Sequence, residues 1–207
     1  MNIVNIYFMN HNKITQDTID ALRPTIAPHY GNAILTVKNA KRKIELLCSG
    51  VLLKEHLGIK EDRQLQIAGS GCLAFADGSR GFCLSHARDY TILAVSENHS
   101  VIGADIEELS FDLSEKAVHH RAIVAKRVFP PALMAQYRAA SPQEEPRVFA
   151  ALWTRVEAVL KADGAGFYKE PLQHAALFDE WSCENIEFDD HMIAIASKSA
   201  IQINLIC

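Results

Sequence analysis

No apolar run in the sequence approaches the ~20 residues that a membrane-spanning helix needs, so no such helix is expected. No Cys-x-x-Cys pair occurs among the five scattered cysteines, Cys48, Cys72, Cys83, Cys183 and Cys207. That spacing fits neither a zinc site nor a disulfide framework, and the thiols read as reduced core residues. An excess of positive charge is lacking too. Twenty-one basic residues face 25 acidic ones, a formal net charge of −4, which argues against a dedicated nucleic-acid binder. Repeats, heptads and low-complexity tracts are absent. The opening stretch, Met1–Met9, has no basic region and no small-residue cleavage site, so it reads as a first strand and not as a signal peptide. The expected class is cytoplasmic and globular, with no membrane partner.

With 49% apolar and 22% charged residues, the 207-residue chain has enough apolar surface to bury a core without staples. Asn2–Met9 reads as a strand and Thr15–Ile26 as a short helix with Thr15 as cap. Lys38–Leu57 carries Ile44, Leu47 and Val51 at helical spacing and stops at Gly58. Beyond Leu65 glycines punctuate a turn-rich stretch, and Phe82–His86, Thr91–Ser96 and Val101–Glu107 read as strands. Ala117–Val128, Pro131–Ala139 and Gln143–Ala162 read as helices, and the tail returns to strands at Ile186–Phe188, Met192–Ser197 and Ile201–Ile206. Helices and antiparallel-looking strands in both parts predict an α+β fold with a seam near residue 100.

Three segments could carry chemistry. In Val101-Ile102-Gly103-Ala104-Asp105-Ile106-Glu107, strand alternation puts Gly103, Asp105 and Glu107 on one face. Paired carboxylates there suit either a solvated edge strand or a hard cation such as Mg²⁺. In the helix around residue 155, Phe149, Leu152, Trp153, Val156, Val159 and Leu160 form an apolar stripe. Glu157 and Lys161 lie together on its flank, as an i,i+4 ion pair or as an acid and a cation where the helix leaves the core. Phe82-Cys83-Leu84-Ser85-His86 ends a strand in a hydroxyl and an imidazole. Neighbours on a strand face opposite ways, which suits phosphate binding or a satisfied strand end better than a nucleophile–base pair.

In this order and spacing, Phe82–His86, Gly103-Ala104-Asp105-Ile106-Glu107 and Trp153-Thr154-x-x-Glu157-Ala158-x-x-Lys161, followed by Gly164 and Gly166, resemble the 4′-phosphopantetheinyl transferase superfamily. The likeness is to the surfactin-synthetase-type branch and runs from Phe82 to Phe167, with weaker echoes at Lys41–Leu57 and Arg127-Val128-Phe129. It implies a pseudo-twofold pair of similar halves, 1–100 on the coenzyme A side and 101–207 on the metal and carrier side, in a monomer. It also implies Mg²⁺ on Asp105, Glu107 and Glu157, with Glu157 as base, Lys161 at the pyrophosphate, and Ser85 and His86 at coenzyme A phosphates. The reaction implied is transfer of 4′-phosphopantetheine from coenzyme A to a serine of an apo acyl or peptidyl carrier protein. A non-catalytic binder of either partner and a Mg²⁺-dependent pyrophosphate or phosphodiester hydrolase are the alternatives.

Three basic residues usual in the family are replaced here, by Gly50, Ser70 and Val156. Arg42, Lys43 or Arg155 are the available substitutes for that charge. Lys116, Arg121, Lys126, Arg127 and Arg138, opposed locally only by Glu115, predict a basic face toward an acidic carrier. The carboxylates are expected to lie outside the core.

Overall fold

A computed structural model describes residues 1–68, 72–164 and 171–206. Ser70, Gly166, Phe167 and Cys207, all named in the sequence reading, lie outside the described residues. The fold is α+β, as the patterning predicts. Nine strands, β1 (Asn2–Asn10), β2 (Leu65–Ala68), β3 (Cys72–Phe75), β4 (Phe82–His86), β5 (Tyr90–Ser96), β6 (Ile102–Glu108), β7 (Ser182–Phe188), β8 (His191–Ser197) and β9 (Ile201–Ile206), are described. With them are six α-helices: α1 (Gln16–Leu22), α2 (Pro28–Thr36), α3 (Ala40–Leu57), α4 (Glu115–Val128), α5 (Pro131–Ala139) and α6 (Glu145–Asp163).

The first sheet runs β4-β5-β1-β9, and β9 joins it by pairing parallel to β1, so the chain's last strand lies beside its first. The second sheet runs β6-β8-β7, antiparallel throughout, while β2 and β3 form a separate hairpin. Strand alternation explains how the sheets stack. Val4, Ile6, Ile92 and Ala94 of the first share one core with Ile102, Ala104, Ile106, Ile193 and Ile195 of the second. Leu93 and Phe82 face the other way, into a core with residues of α1, α2 and α3. Ala194 and Ala196 pack outward against α4, α5 and α6. Helices, sheet, sheet and helices are thus held by three apolar cores, and β6 and α6 meet in the third layer boundary.

Local chemistry sets the helix ends. Thr15 accepts from the Thr18 amide at the start of α1, and Asn39 from the Arg42 amide at the start of α3. Gly164 ends α6 with φ +79°, a conformation that favours glycine. Two expectations change. Thr15–Ile26 is α1 followed by a 3₁₀ turn over Arg23–Thr25, because Pro24 supplies no amide donor. Helix α2 was not expected; its Pro28 sits in the first turn, where a missing N–H costs nothing. Cys48, Cys83 and Cys183 are free thiols. No helix among the described residues is long and apolar enough to cross a membrane.

Candidate functional site

Strand β6 presents its odd-numbered side chains to α6. A close approach permits this, since a side chain at Gly103 would collide with the α6 backbone at Ala158. Two turns of α6 then reach back over the strand. The Trp153 indole N–H donates to Glu107 Oε1 at 3.1 Å. Lys161 Nζ donates to Asp105 Oδ1 at 2.6 Å, Ser85 Oγ at 2.8 Å and the Ala104 carbonyl at 3.2 Å. Ser85 Oγ donates in turn to Asp105 Oδ1 at 2.8 Å. Asp105 is therefore no member of a solvated face. It is 4% exposed, and its Oδ2 is buried without a hydrogen-bond partner. The expectation that all three carboxylates lie outside the core fails at Asp105, because α6 covers β6 more closely than an exposed edge strand allows.

The electrostatics follow from the crowding. Burial and then the neighbouring Asp105 charge push Glu107 upward, against the Trp153 hydrogen bond. Glu157, half-buried one turn before Lys161, is pushed up to about 7 by burial, then by Asp105. Burial works against the Lys161 ammonium, but its charged neighbours, Asp105 foremost, outweigh that and raise its pKa. Three carboxylates and one cation thus share one patch, with protons held more tightly than usual on two of the acids.

Among the described residues no three His, Cys, Asp or Glu side chains converge closely enough to hold a metal ion as they stand. The donor set still suits a hard cation. Asp105 Oδ2 is a buried oxygen lacking a donor, and a divalent charge favours the ionised forms of Glu107 and Glu157, which burial first and Asp105 second disfavour.

His86 lies on the other side of β4 from Ser85. Arg42 Nη1 is 3.2 Å from its Nε2 and 3.0 Å from Glu45 Oε2, while Glu45 also pairs with Lys41 and, at 3.7 Å, with His86 Nδ1. This basic group at the start of α3 surrounds one buried acid that the sequence reading passed over, although Glu45 sits three and four residues after Arg42 and Lys41. Lys43 is partly buried beside Arg42. Arg155, by contrast, interacts with Cys183 on β7. Gly50 has no room for an arginine: even a Cβ there would lie 2.7 Å from Ile26 Cδ1. Val156 is wholly buried in the core beneath α6, as the apolar stripe predicts.

The basic segment is corrected at one position. Arg121 is buried and paired at 2.6 Å with Glu145, which also accepts from the Tyr137 hydroxyl. Glu145 comes from α6, so the local count of charges missed it. Lys116, Lys126, Arg127 and Arg138 remain exposed, with Ile123 exposed among them on α4.

Residues 101–202 match the model of the 4′-phosphopantetheinyl transferase superfamily. The matched segment holds Asp105, Glu107, Glu157 and Lys161, and begins at the strand where the carboxylates are presented. The match supports a transferase and phosphopantetheine transfer as its general chemistry. No curated protein matches the chain.

Proposed function

We propose that the chain transfers 4′-phosphopantetheine from coenzyme A to a serine of an apo carrier protein, as a surfactin-synthetase-type member of the superfamily. The observation that carries this reading is the meeting of Asp105, Glu107, Glu157 and Lys161 at the β6–α6 contact, inside the segment that the superfamily model matches. Asp105, Glu107 and Glu157 would hold Mg²⁺, which when bound neutralises the pyrophosphate of coenzyme A.

The carrier serine oxygen attacks the β-phosphorus of coenzyme A. The bond from that phosphorus to the bridging oxygen breaks, and adenosine 3′,5′-bisphosphate departs with the bonding electrons. The serine proton passes to Glu157, which flanks the carboxylates from α6. Lys161 keeps its proton and supplies fixed positive charge beside the phosphates. His86, Arg42 and Lys43 lie on the N-terminal side of the chain and would receive the phosphates of the nucleotide end; their basic side chains are the support for that placement.

Incubation with coenzyme A, Mg²⁺ and an apo carrier, followed by mass spectrometry of the carrier, tests the reading. Gain of one phosphopantetheine on the carrier is the expected result. Coenzyme A cleaved without a carrier would identify a hydrolase, and an intact carrier with coenzyme A bound but uncleaved would identify a binder.

A further inference from the structure

We propose that Glu45 is a positioning residue for His86, and that a nucleotide phosphate binding at Arg42 and His86 brings one proton from solvent onto His86. The inference rests on the reading that these side chains receive the nucleotide end of coenzyme A. Glu45 lies beneath the group, its side chain 8% exposed against 48% for Arg42 and 44% for His86. A carboxylate so placed is costly to bury without partners. Its partners divide between its two oxygens. Oε2 accepts from Arg42 Nη1 at 3.0 Å, while Oε1 has Lys41 Nζ at 3.9 Å and His86 Nδ1 at 3.7 Å, both beyond hydrogen-bond length.

The same guanidinium fixes the state of the imidazole. Arg42 Nη1 lies 3.2 Å from His86 Nε2, and a guanidinium can only donate. Nε2 therefore accepts, the ring is neutral, and its one proton sits on Nδ1, toward Glu45. The charged and titratable groups about the pair are Lys41 and Arg42 of α3, Lys161 of α6, and His11 after β1. Burial lowers the His86 pKa below 6.5, Glu45 opposes this, and Arg42 and Lys161 lower it again. A phosphate that takes Arg42 and meets Nε2 reverses the roles there, because its oxygens need donors. Nδ1 keeps its proton, and Nε2 gains a second one from solvent. The imidazolium then stands between two anions, phosphate at Nε2 and Glu45 at Nδ1, and can close the 3.7 Å gap to a hydrogen bond. His11 takes no part in the exchange: it is 6% exposed, with its nitrogens bonded to Thr91 and to the Arg88 carbonyl.

The test uses the full chain without metal or carrier. Calorimetric titration with adenosine 3′,5′-bisphosphate near pH 7.5, repeated in buffers of different ionisation enthalpy, counts the protons taken up. The wild type should take up about half a proton or more per bisphosphate, since an opposite charge in contact favours the protonated ring. His86→Asn should take up essentially none. Glu45→Gln, of the same shape, should take up at least about 2-fold less, with its maximum uptake moved about one pH unit lower. Glu45→Asp, which withdraws the carboxylate by one methylene, should fall between, and serves if the glutamine variant does not fold by circular dichroism. A Glu45 that only supports the fold would change affinity without moving that maximum. Wild-type binding without proton uptake overturns the proposal, as does wild-type uptake in either His86→Asn or Glu45→Gln. So does a wild-type protein that binds no bisphosphate. Mass spectrometry of an apo carrier incubated with coenzyme A and Mg²⁺ judges the transferase reading separately. The expected proton pattern beside an unmodified carrier leaves the Glu45 role standing and removes the transferase; a modified carrier without the pattern removes the Glu45 role alone.

Discussion

A Cβ atom on Gly103 would lie 1.9 Å from the Ala158 carbonyl oxygen and 2.6 Å from the Ala162 nitrogen, both backbone atoms of α6. Neither can step aside without moving the helix. This contact brings α6 near enough to β6 for Trp153 to reach Glu107 and Lys161 to reach Asp105. Gly103→Ala should therefore cost roughly 1–3 kcal/mol by overpacking. It should also lower transfer far more than that loss of stability explains, because both clasps loosen together. Urea denaturation beside turnover at 25 °C checks this, and an unchanged midpoint would show that the sheet and helix are not in this contact.

Asp105 and Glu157 should separate in stability while agreeing in activity. Asp105→Ala leaves the Lys161 ammonium with its carboxylate partner gone in a mostly buried place, at a cost of roughly 3 kcal/mol. Glu157→Gln swaps a half-buried acid whose proton is already held unusually tightly for a neutral group of the same shape, so its melting temperature should hardly move. Each should lower transfer by about 10²-fold or more. Equal melting temperatures for the two variants would mean that the Asp105–Lys161 pair contributes nothing to folding.

Much of this site could be read from residue order. The alternation of β6, the apolar stripe of α6 with Val156 in its middle, and the flank carrying Glu157 and Lys161 are local periodicities, and local periodicity is what a sequence displays. Longer-range facts were not legible. Trp153 counted only as stripe, yet its one polar atom meets Glu107 across 46 residues. Arg121 counted as surface charge because Glu145, 24 residues on, arrives from another helix. Asp105 was expected among solvated carboxylates, since no spacing rule tells how close a helix comes to a strand; Gly103 was the available clue. Helix α2 went unread, although Pro28 opens it in the first turn, where a missing N–H costs nothing.

The histidine at the end of β1 should make stability depend on pH. His11 is buried, with Nε2 2.8 Å from Thr91 Oγ1 and Nδ1 3.1 Å from the Arg88 carbonyl. Burial lowers its pKa below 6.5, partly offset by the Arg88 carbonyl and Glu45. A lowered histidine pKa means that the unfolded chain binds the proton more readily. Its contribution is therefore fully present above pH 6.5 and is lost as pH falls through the folded value. Melting temperatures of the wild type and His11→Asn, compared at pH 7.5 and pH 5, should show the larger acid-side drop in the wild type. Parallel drops would place the sensitivity elsewhere.

The exposed face of α4 offers the sharpest test of the carrier as acceptor. Lys116, Ile123 and Arg127 recur at intervals of seven and four residues, which puts them on one side of the helix, with Lys126 beside them. All four are exposed, and α4 follows β6 after a short connection in which Phe111 and Leu113 are exposed as well. Such a face would steer an acidic partner toward Glu107 and Glu157, mainly by raising the association rate. Charge reversal at Lys126 and Arg127 should raise KM for the carrier about 10-fold at low salt, flatten its salt dependence, and leave coenzyme A binding unchanged. Arg121→Glu is the contrasting variant: it breaks the buried pair with Glu145, so it should lose stability instead of selectively losing the carrier. Native carrier kinetics at low salt in the Lys126 and Arg127 reversal would remove α4 from the docking surface.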